Sequence, residues 1–431
     1  MPQILNIAEA DFEGRFAAFL AQKRETSDDV DRQVRDIVSA VRTDGDSALL
    51  AFTERFDNVS LTPDTLRVSV SEIDAAVSAC QAADLDALEL AHNRIRSHHQ
   101  RQLPQDDVYT DDLGAVLGTR WTTVESAGLY APGGMASYPS SVLMNVVPAS
   151  VASVPRLVMV VPAPRGELNP LILAAAKLAG VHEVYRVGGA QAVAALAYGT
   201  ETISPVVKIV GPGNAYVATA KRQVFGTVGI DSIAGPSEVL IIADRNNNPE
   251  WIAADLLAQA EHDVDAQSIL MTEDADFGAQ VIAAVEQQLE TLPRQSIAAE
   301  SWNTLGAIIV VQDFGQAPAL ADRIAAEHLQ IAVDDPDALA AKIRNAGAVF
   351  LGALTPEVIG DYVGGTNHVL PTARSARHAS GLGVLDFMKR TSVLKLDRRA
   401  LGALGPAAVR LAEAEGLDAH ARSVAIRLDS A

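Results

Sequence analysis

The chain has 431 residues, of which 48% are hydrophobic and 20% are charged, a composition that is typical of a globular enzyme and excludes a largely disordered chain. Its formal net charge of −20 at pH 7 argues against nucleic acid or an anionic membrane as a partner, because phosphate groups would be repelled. The length exceeds that of a typical single core, so two large lobes are expected.

The N-terminal segment carries no sign of export. Its sequence, "MPQILNIAEADFEGRF", has neither the basic start nor the long apolar run of a secretory signal. No uncharged apolar run reaches the length of about 18 residues that a transmembrane helix needs. We therefore expect a cytoplasmic protein. The single cysteine, Cys80, excludes an intrachain disulfide and is expected to lie in a core.

Helical periodicity dominates the first part of the chain. Apolar residues recur with a period near 3.6 over residues 8–56, with a turn at Asp44-Gly45, and again over 71–101. The segment that follows, to residue 130, alternates and turns at Gly114 and Gly128, which predicts antiparallel strands.

From residue 155 onward, short apolar strands alternate with helices, as in "RLVMVVPAP" followed by "NPLILAAAKLAG". Later helices are predicted over 276–289, 316–327 and 336–345. This alternation indicates parallel sheets that are covered on both faces. The fold class is therefore α/β, with two doubly wound, incomplete Rossmann-like lobes that separate near 229–238.

The predicted division of the chain has four parts. A helical N-terminal arm is expected over 1–25 and a large α/β lobe over 26–129 together with 237–380. A second α/β lobe is expected over 130–236. A helical tail is predicted over 381–431, connected by the Gly/Ala/Pro-rich link "RALGALGPAAV".

Two glycine-rich turns, in "RVGGAQAVAAL" and "KIVGPGNAYVATA", each follow a strand and open a helix. Free N–H groups at such helix starts suit a phosphate or another polar ligand. Neither turn is G-x-G-x-x-G, so the usual dinucleotide fingerprint is absent. Gln191 and Asn214 lie just inside the two helices, where they could contact a cofactor or merely cap. Tyr130, before the loop "APGGMASYPSS", could contact a ligand or end an ordinary connection.

Polar residues interrupt the apolar helix at 251–262. Asp255, Gln259 and His262 follow at i, i+4 and i+7, so they share one face. Gln259 and His262 could bind one metal ion, although a hydrogen-bonded core histidine is the more common alternative. Asp361 and His420 could complete a mixed nitrogen and oxygen site.

Glu327 and His328 are adjacent at a helix-to-strand junction in "RIAAEHLQIAV". A buried Glu–His pair suits proton transfer, because imidazole titrates near neutrality and a carboxylate can activate water. The alternative is an exposed helix C-terminus, where the dipole favours histidine.

Taken together, these segments resemble the histidinol dehydrogenase family. The resemblance covers nearly the whole chain and preserves the family order of eight motifs: "APGGMASYPSSVLMN", "VGGAQAVAALAYGT", "KIVGPGNAYVATAKRQV", "DSIAGPSEVLIIAD", "DLLAQAEHDVDAQSIL", "AEHLQI", "GDYVGGTNHVLPT" and "AEAEGLDAHARSV". One departure is Ala326, where the family is expected to have proline.

The resemblance implies an NAD-dependent, four-electron oxidation of L-histidinol through histidinal to L-histidine, with one Zn²⁺ per subunit. It also implies an intertwined homodimer in which the tail of one chain completes the active site of the other. By the same resemblance, the metal ligands are Gln259, His262, Asp361 and His420, and the proton-transfer residues are Glu327 and His328. The implied NAD contacts are Tyr130, Gln191 and Asn214. The implied substrate contacts are the metal ligands, the proton-transfer pair and, in addition, Ser237, His368 and Glu415. Asp255 is expected to support this site or to cap the helix.

By the same resemblance, zinc holds the imidazole and amino nitrogens of the substrate. His328 accepts the alcohol proton while hydride passes to NAD, and Glu327 activates the water that attacks the aldehyde. His328 then accepts a proton from the gem-diol in the second oxidation.

Other functions remain open from the residues alone. A related dehydrogenase could oxidise another polar alcohol, although Glu415 and His368 match positions that would bind histidinol. A metal-dependent hydrolase could use the same metal and Glu–His pair without a nicotinamide. A two-lobed solute-binding protein would be expected to have an export signal. The sequence offers no basic residue that can be assigned to the 2′-phosphate of NADP.

Overall fold

Three sheets and their covering helices organise the part of the chain that the computed structural model describes, residues 1–22, 28–132, 138–233 and 235–429. The strands are β1 (Gln3–Asn6), β2 (Asp107–Thr110), β3 (Val116–Thr123), β4 (Ala127–Tyr130), β5 (Leu157–Val160), β6 (Glu183–Tyr185), β7 (Lys208–Val210), β8 (Gly229–Ile230), β9 (Glu238–Ala243), β10 (Gln267–Thr272), β11 (Ala307–Val310), β12 (His328–Ala332), β13 (Ala348–Leu351) and β14 (Met388–Lys395).

The helices follow the predicted alternation. They are α1 (Phe12–Leu20), α2 (Asp28–Asp44), α3 (Asp46–Asp57), α4 (Pro63–Leu66), α5 (Val70–Ala79), α6 (Ala82–Gln100), α7 (Pro139–Val151), α8 (Pro170–Ala179), α9 (Gly189–Tyr198), α10 (Ala215–Val224), α11 (Pro249–Ala260), α12 (Ala275–Leu289), α13 (Gln295–Leu305), α14 (Ala317–Ile324), α15 (Pro336–Ala340), α16 (Glu357–Tyr362), α17 (Arg398–Ala414) and α18 (Asp418–Asp429).

The larger sheet has six parallel strands in the order β1-β11-β10-β9-β12-β13. Every residue of the central strands β9 and β10 is buried, as expected for strands that helices cover on both faces. The turn from α14 into β12 comes earlier than predicted: α14 ends at Ile324, and Ala325 then adopts a left-handed conformation. Ala326, in place of the expected proline, is buried, and its carbonyl accepts a hydrogen bond from the Gly347 N–H.

The smaller α/β sheet has five parallel strands in the order β6-β5-β4-β7-β8. The chain builds outward from β4 on one side and then crosses to the other side at β7. Open α/β sheets generally have a ligand-binding crevice at such a reversal, beyond the carboxyl ends of the neighbouring strands, which are here β4 and β7. The passage between the two lobes, from β8 to β9, falls in the predicted interval 229–238.

Several elements pack differently from the predicted division. Residues 3–6, predicted as part of a helical arm, form β1 at the edge of the six-stranded sheet. Helices α2 and α3 share a core with the five-stranded sheet, through Val34, Ile37 and Leu49, and α6 packs on α7 and α8 beside the same sheet. The predicted division grouped residues 26–129 with 237–380, which form most of the six-stranded sheet. Periodicity identifies the apolar face of a helix but not the distant segment on which that face packs.

The third sheet is antiparallel, in the order β14-β3-β2. Antiparallel strands before residue 130 were predicted, but β4 belongs instead to the parallel five-stranded sheet. The pairing of β14 with β3 extends from Met388 opposite Thr123 to Lys395 opposite Val116, so the tail that was predicted to be helical begins with a strand.

The tail ends in two helices that pack on each other. The prediction of a Gly/Ala/Pro-rich link is wrong, because this segment lies inside α17 and continues the helix through Pro406. Gly405 allows the close packing: a Cβ there would lie 2.9 Å from Leu428 Cδ1. Gly416, with φ of +72°, makes the predicted bend between α17 and α18. Leu411 is 64% exposed and Ile426 51% exposed, so the apolar tail residues are left uncovered within one chain.

In the described part of the chain, we find no helix with the length and apolar character needed to cross a bilayer.

Candidate functional site

Two parallel strands of the six-stranded sheet bring polar residues together at their amino ends. Glu327 directly precedes β12, and His328 is the first residue of that strand. In the same way, Ser237 directly precedes β9, and Glu238 is its first residue. His328 pairs with Val239 in the register of the two strands. Glu327 and His328 are both 5% exposed, so the alternative of a solvent-facing helix end is wrong.

The Glu327 carboxylate is held by main chain. The Glu238 N–H donates to Glu327 Oε2 at 3.0 Å. Burial raises the pKa of Glu327 to about 7, against the opposing effects of His328 and of this hydrogen bond. A carboxyl group with a pKa near neutrality can exchange a proton with water at physiological pH.

The His328 ring has two distinct environments. Nδ1 lies 3.2 Å from the Glu238 carbonyl oxygen and donates to it, because the carbonyl can only accept; this leaves Nε2 as the basic nitrogen of the neutral ring. Nε2 is buried without a hydrogen-bond partner among the described residues and lies 3.6 Å from Asp361 Oδ1. Burial lowers the pKa of His328, but the carboxylates of Glu357, Glu327 and Asp361 outweigh it and raise the pKa to about 10.

A third carboxyl group in this cluster was missed from the sequence. Glu357, the first residue of α16, is 1% exposed, and its Oε2 lies 3.8 Å from His328 Nδ1. Burial raises the pKa of Glu357 to about 8. Its position four residues before Asp361 places both on one face of α16, and this spacing is the signal that could have identified it.

Gln259 is a buried amide in α11 with unmet hydrogen bonds. It is 1% exposed, and neither Nε2 nor Oε1 has a hydrogen-bond partner among the described residues. An amide that leaves water without a partner costs about 1–3 kcal/mol. The position therefore favours a ligand that would satisfy the side chain.

His262 and Asp361 lie beside this amide region. His262 follows the end of α11 and is partly accessible to solvent. Desolvation by the surrounding protein lowers the pKa of His262, while the nearby Asp361 carboxylate opposes this shift. Burial would raise the pKa of Asp361, but the imidazoles, His328 first, outweigh it and lower that pKa.

His368 connects this group to the five-stranded sheet's helices. Its Nδ1 donates to the Asp361 carbonyl oxygen at 3.0 Å, and its Nε2 lies 3.1 Å from the Ser141 hydroxyl of α7. Ser141 of α7 therefore lies on the Asp361 side of this cluster. Gly133 and Gly134, in the loop between Tyr130 and α7, lie outside the described residues.

Asp255, on the same face of α11, has a clear partner. Its Oδ2 accepts a hydrogen bond from Gln330 Nε2 of β12 at 2.7 Å, and burial raises its pKa. It does not cap α11, whose first turn is capped by Asn248. Asp255 therefore links α11 to the strand that carries His328.

The donor set suits a metal ion. Gln259, His262 and Asp361 offer nitrogen and oxygen donors without a thiolate, a combination that fits Zn²⁺ with positions left for substrate. Among the described residues, no three His, Cys, Asp or Glu side chains are grouped as a metal site. Glu415 and His420 are exposed on the tail and, within the described ranges, make no side-chain hydrogen bond or ion pair with this cluster.

A second group of predicted residues lies at the crevice of the five-stranded sheet. Tyr130 ends β4, is 4% exposed, and accepts a hydrogen bond at its hydroxyl oxygen from the Gly189 N–H at 3.0 Å. Burial raises the pKa of Tyr130 to about 12, so the hydroxyl keeps its proton. Gln191 is 1% exposed, and its Oε1 has no hydrogen-bond partner among the described residues.

Asn214 was predicted to contact a cofactor or to cap, and the cap is observed. Its Oδ1 accepts from the N–H groups of Tyr216 and Val217 at the start of α10. This leaves the exposed Nδ2 group as the free donor of the side chain. The glycine turns, a buried phenol and two amides thus make a neutral, donor-rich edge.

Ser237, predicted to contact substrate, lies half-buried just before β9, and its carbonyl accepts from the Gln267 N–H at 3.0 Å. It therefore shares the amino edge with Glu327 and His328.

Known proteins resemble the whole chain. The family described as histidinol dehydrogenase matches residues 20–428. Relatives named histidinol dehydrogenase include one from Brucella abortus (strain 2308), 66% identical, and one from Bradyrhizobium diazoefficiens, 67% identical, each covering 100% of both chains. A crystal structure of histidinol dehydrogenase from Elizabethkingia anophelis superposes with a TM-score of 0.95 at 36% identity, covering 100% of this chain and 98% of that one.

Proposed function

Because this chain belongs to the histidinol dehydrogenase family, we propose that the cluster at the amino edge of the six-stranded sheet is its active site and that the crevice of the five-stranded sheet binds NAD. The chain is an oxidoreductase of histidine biosynthesis. The proposed substrate is L-histidinol, oxidised through histidinal to L-histidine.

One observation carries the assignment of the active site. His328 Nε2 is a buried nitrogen that has no hydrogen-bond partner in the described part of the chain and lies 3.6 Å from Asp361 Oδ1. The Gln259 amide in helix α11 is likewise unsatisfied by the described residues. Such unmet polar groups destabilise a core unless a ligand completes them. A small polar substrate and a metal ion would do so.

Gln259, His262 and Asp361 are proposed to hold Zn²⁺, with His420 as a fourth ligand. When bound, the ion would hold the nitrogens of histidinol and fix the carbinol carbon in place. Ser237, His368 and Glu415 are proposed as further substrate contacts.

His328 is proposed to remove the alcohol proton at Nε2, because Nδ1 already donates to the Glu238 carbonyl oxygen. The carboxylates raise the pKa of His328, and the positive charge of a Zn²⁺ ion held by Asp361 would oppose that shift and favour the neutral ring that can accept a proton. NAD, when bound, supplies the electron acceptor. The water that adds to histidinal loses its proton to the Glu327 carboxylate, which the Glu238 N–H orients. His328 Nε2 then takes the proton of the hydrated aldehyde. The three proton transfers are thus divided, two to His328 and one to Glu327, and this division matches the different hydrogen bonds of the two side chains.

Tyr130, Gln191 and Asn214 are proposed as NAD contacts. The Tyr130 hydroxyl, the Gln191 amide and the Asn214 Nδ2 group surround the carboxyl ends of β4 and β7, where the strand order reverses. The Tyr216 and Val217 N–H groups at the start of α10 are taken by Asn214 Oδ1, so the start of α9 is proposed to offer further backbone donors for the pyrophosphate.

A homodimer is proposed because the tail does not meet the active site in its own chain. Glu415 and His420 are exposed, as are the apolar residues Leu411 and Ile426 of the same two helices. A second chain that covers this apolar surface would bring Glu415 and His420 to the partner's metal and substrate.

The test of the function is stoichiometry. The purified zinc-loaded protein should reduce two NAD per histidinol consumed, and one NAD per histidinal. Reduction of one NAD per histidinol with release of histidinal would contradict the four-electron assignment. Consumption of histidinol without NAD reduction would contradict the dehydrogenase assignment of this site.

A further inference from the structure

A buried ion pair lies beneath the second glycine turn, and neither the proton-transfer cluster nor the proposed cofactor contacts include it. Lys221 of α10 and Asp231, which follows β8, pair directly, and their side chains are 2% and 4% exposed. Fully buried ions lose their hydration, so such a pair contributes little to stability compared with well-packed apolar residues. Its presence at this point of the fold therefore calls for another role.

Both members of the pair bind the backbone of one residue, Gly211. Lys221 Nζ donates to the Gly211 carbonyl oxygen at 2.9 Å, and the Gly211 N–H donates to Asp231 Oδ2 at 2.8 Å. The lysine can reach back because helical side chains lean toward the N-terminus of their helix. The two charged groups thus fix the N–H and the carbonyl of the residue that opens the turn "GPGN".

Gly211 packs closely against the end of β4. Its φ is +118°, and a Cβ there would lie 2.3 Å from the Tyr130 carbonyl oxygen. Tyr130 accepts the Gly189 N–H at the start of α9, while Asn214 caps α10 three residues after Gly211. One glycine therefore contacts the end of β4 and begins the turn that carries Asn214.

We infer that Lys221 and Asp231 are positioning residues for the nicotinamide cofactor: they hold the Gly211 turn, and through it Tyr130 and Asn214, in the geometry that binds NAD. They do not touch the cofactor. This inference rests on the proposed NAD site. A turn that forms without them in about a tenth of the molecules would weaken the apparent affinity for NAD about tenfold.

A paired replacement separates this role from simple stability. The double variant Lys221→Met/Asp231→Leu puts apolar side chains of similar size in place of the ions, so the loss of the ion pair itself should cost little stability. Its midpoint of thermal unfolding should fall only by the cost of the two Gly211 backbone groups that lose their partners, and by less than that of the single variant. The Gly211 N–H and carbonyl then lose both partners. The single variant Lys221→Met, which leaves Asp231 charged and buried, should lower the unfolding midpoint.

The matched control is an ion pair of the same sheet at its other edge. Arg156, which precedes β5, and Glu183 of β6 pair at 2.7 Å, away from the glycine turns. The variant Arg156→Met/Glu183→Leu should leave the affinity for NAD unchanged.

The experiment measures the dissociation constant of NAD by calorimetric titration of the zinc-loaded dimer, together with the KM for NAD, the KM for histidinol and kcat. We expect the double variant at 221 and 231 to raise the dissociation constant and the KM for NAD about tenfold while the KM for histidinol and kcat at saturating NAD change less than twofold. A double variant that is stable and binds NAD like the wild type overturns the inference. So does an equal loss in the control pair, which would show a general effect of stability.

If the double variant does not fold, two single variants replace it. Asp231→Asn keeps an acceptor for the Gly211 N–H, so it should raise the dissociation constant of NAD by less than Lys221→Met does. Dissociation constants that stay at the wild-type value in both single variants overturn the inference. A wild-type chain that binds no NAD overturns the proposed cofactor site and this inference with it.

Discussion

The two parallel sheets of this protein place their functional groups at opposite edges. In the five-stranded sheet, the candidate residues follow the carboxyl ends of β4 and β7, and they are neutral: a phenol, two amides and backbone N–H groups. In the six-stranded sheet, they lie at the amino ends of β9 and β12, and they are ionisable: Glu327, His328 and, from α16, Glu357. The same strand-and-helix pattern thus carries the proposed binding site at one edge and the proposed proton-transfer site at the other.

The difference has a physical origin. At a carboxyl edge, helices begin, and their free N–H groups suit a ligand with phosphates. At the amino edge of the larger sheet, helix α11 ends and two strands begin, so side chains rather than N–H groups face the site. Burial there shifts pKa values toward neutrality for Glu327 and Glu357, as proton transfer requires.

Metal removal should have the largest effect, and it should act on one edge alone. Chelator-treated protein is expected to lose all activity with histidinol, because Gln259, His262 and Asp361 lose the ion that orients substrate. The circular dichroism spectrum and the affinity for NAD should remain, since both sheets have cores of their own. Added zinc should restore the rate. Full activity in a sample shown to be free of metal would refute the ligand assignment.

His328→Asn should lower the rates of both half-reactions, by about 10³-fold, since each oxidation needs a proton removed at Nε2. Rates are measured with histidinol and with histidinal supplied directly, beside the binding of NAD. A variant that slows only the alcohol step would contradict the double role of His328. Weaker binding of NAD would contradict the separation of the two edges.

Glu327→Gln should damage the aldehyde step by about 10²-fold and the alcohol step less, because the amide cannot accept a proton from water. In the wild type, the rate with histidinal should rise with pH through about 7, the raised pKa of Glu327, since the carboxylate form is the base; below this pH the group is protonated and the rate falls. The variant should lose this inflection. Equal losses in the two half-reactions, with the inflection retained, would oppose the assignment.

Gly211→Ala should act on the carboxyl edge alone. The added Cβ would meet the Tyr130 carbonyl oxygen at 2.3 Å, so the turn must move, and the dissociation constant of NAD should rise about tenfold. Zinc content should stay the same. The control is Gly226→Ala, where φ is +102° but no atom lies within 4 Å of a Cβ; it carries similar backbone strain and should bind NAD normally.

Subunit mixing gives the smallest signal and asks whether the amino edge is completed by its own chain. His420→Ala and His262→Ala chains are each expected to be inactive. If sites are shared, a heterodimer has one site with both defects and one with neither, so an equal mixture should recover about a quarter of wild-type activity. Heterodimers that form and show no activity would place His420 in the site of its own chain.

The sequence was sufficient for the strand-and-helix order from residue 155 onward, because apolar periodicity is a local property that each segment carries by itself. It also predicted the bend at Gly416 and the burial of Glu327 and His328 as a possible pair. The family resemblance named the candidate residues at both edges from ordered motifs.

Only the tertiary structure decided which faces meet. Periodicity shows that α2 and α6 have apolar faces but not which sheet they cover. The strands β1 and β14 pair with β11 and β3, which are distant in the sequence. The same holds for Glu357, whose role depends on its 3.8 Å approach to His328, and for the pairing of Lys221 with Asp231 around Gly211. Local propensity fixes elements within a few turns, whereas packing partners and the hydrogen bonds of buried polar groups depend on the whole folded chain.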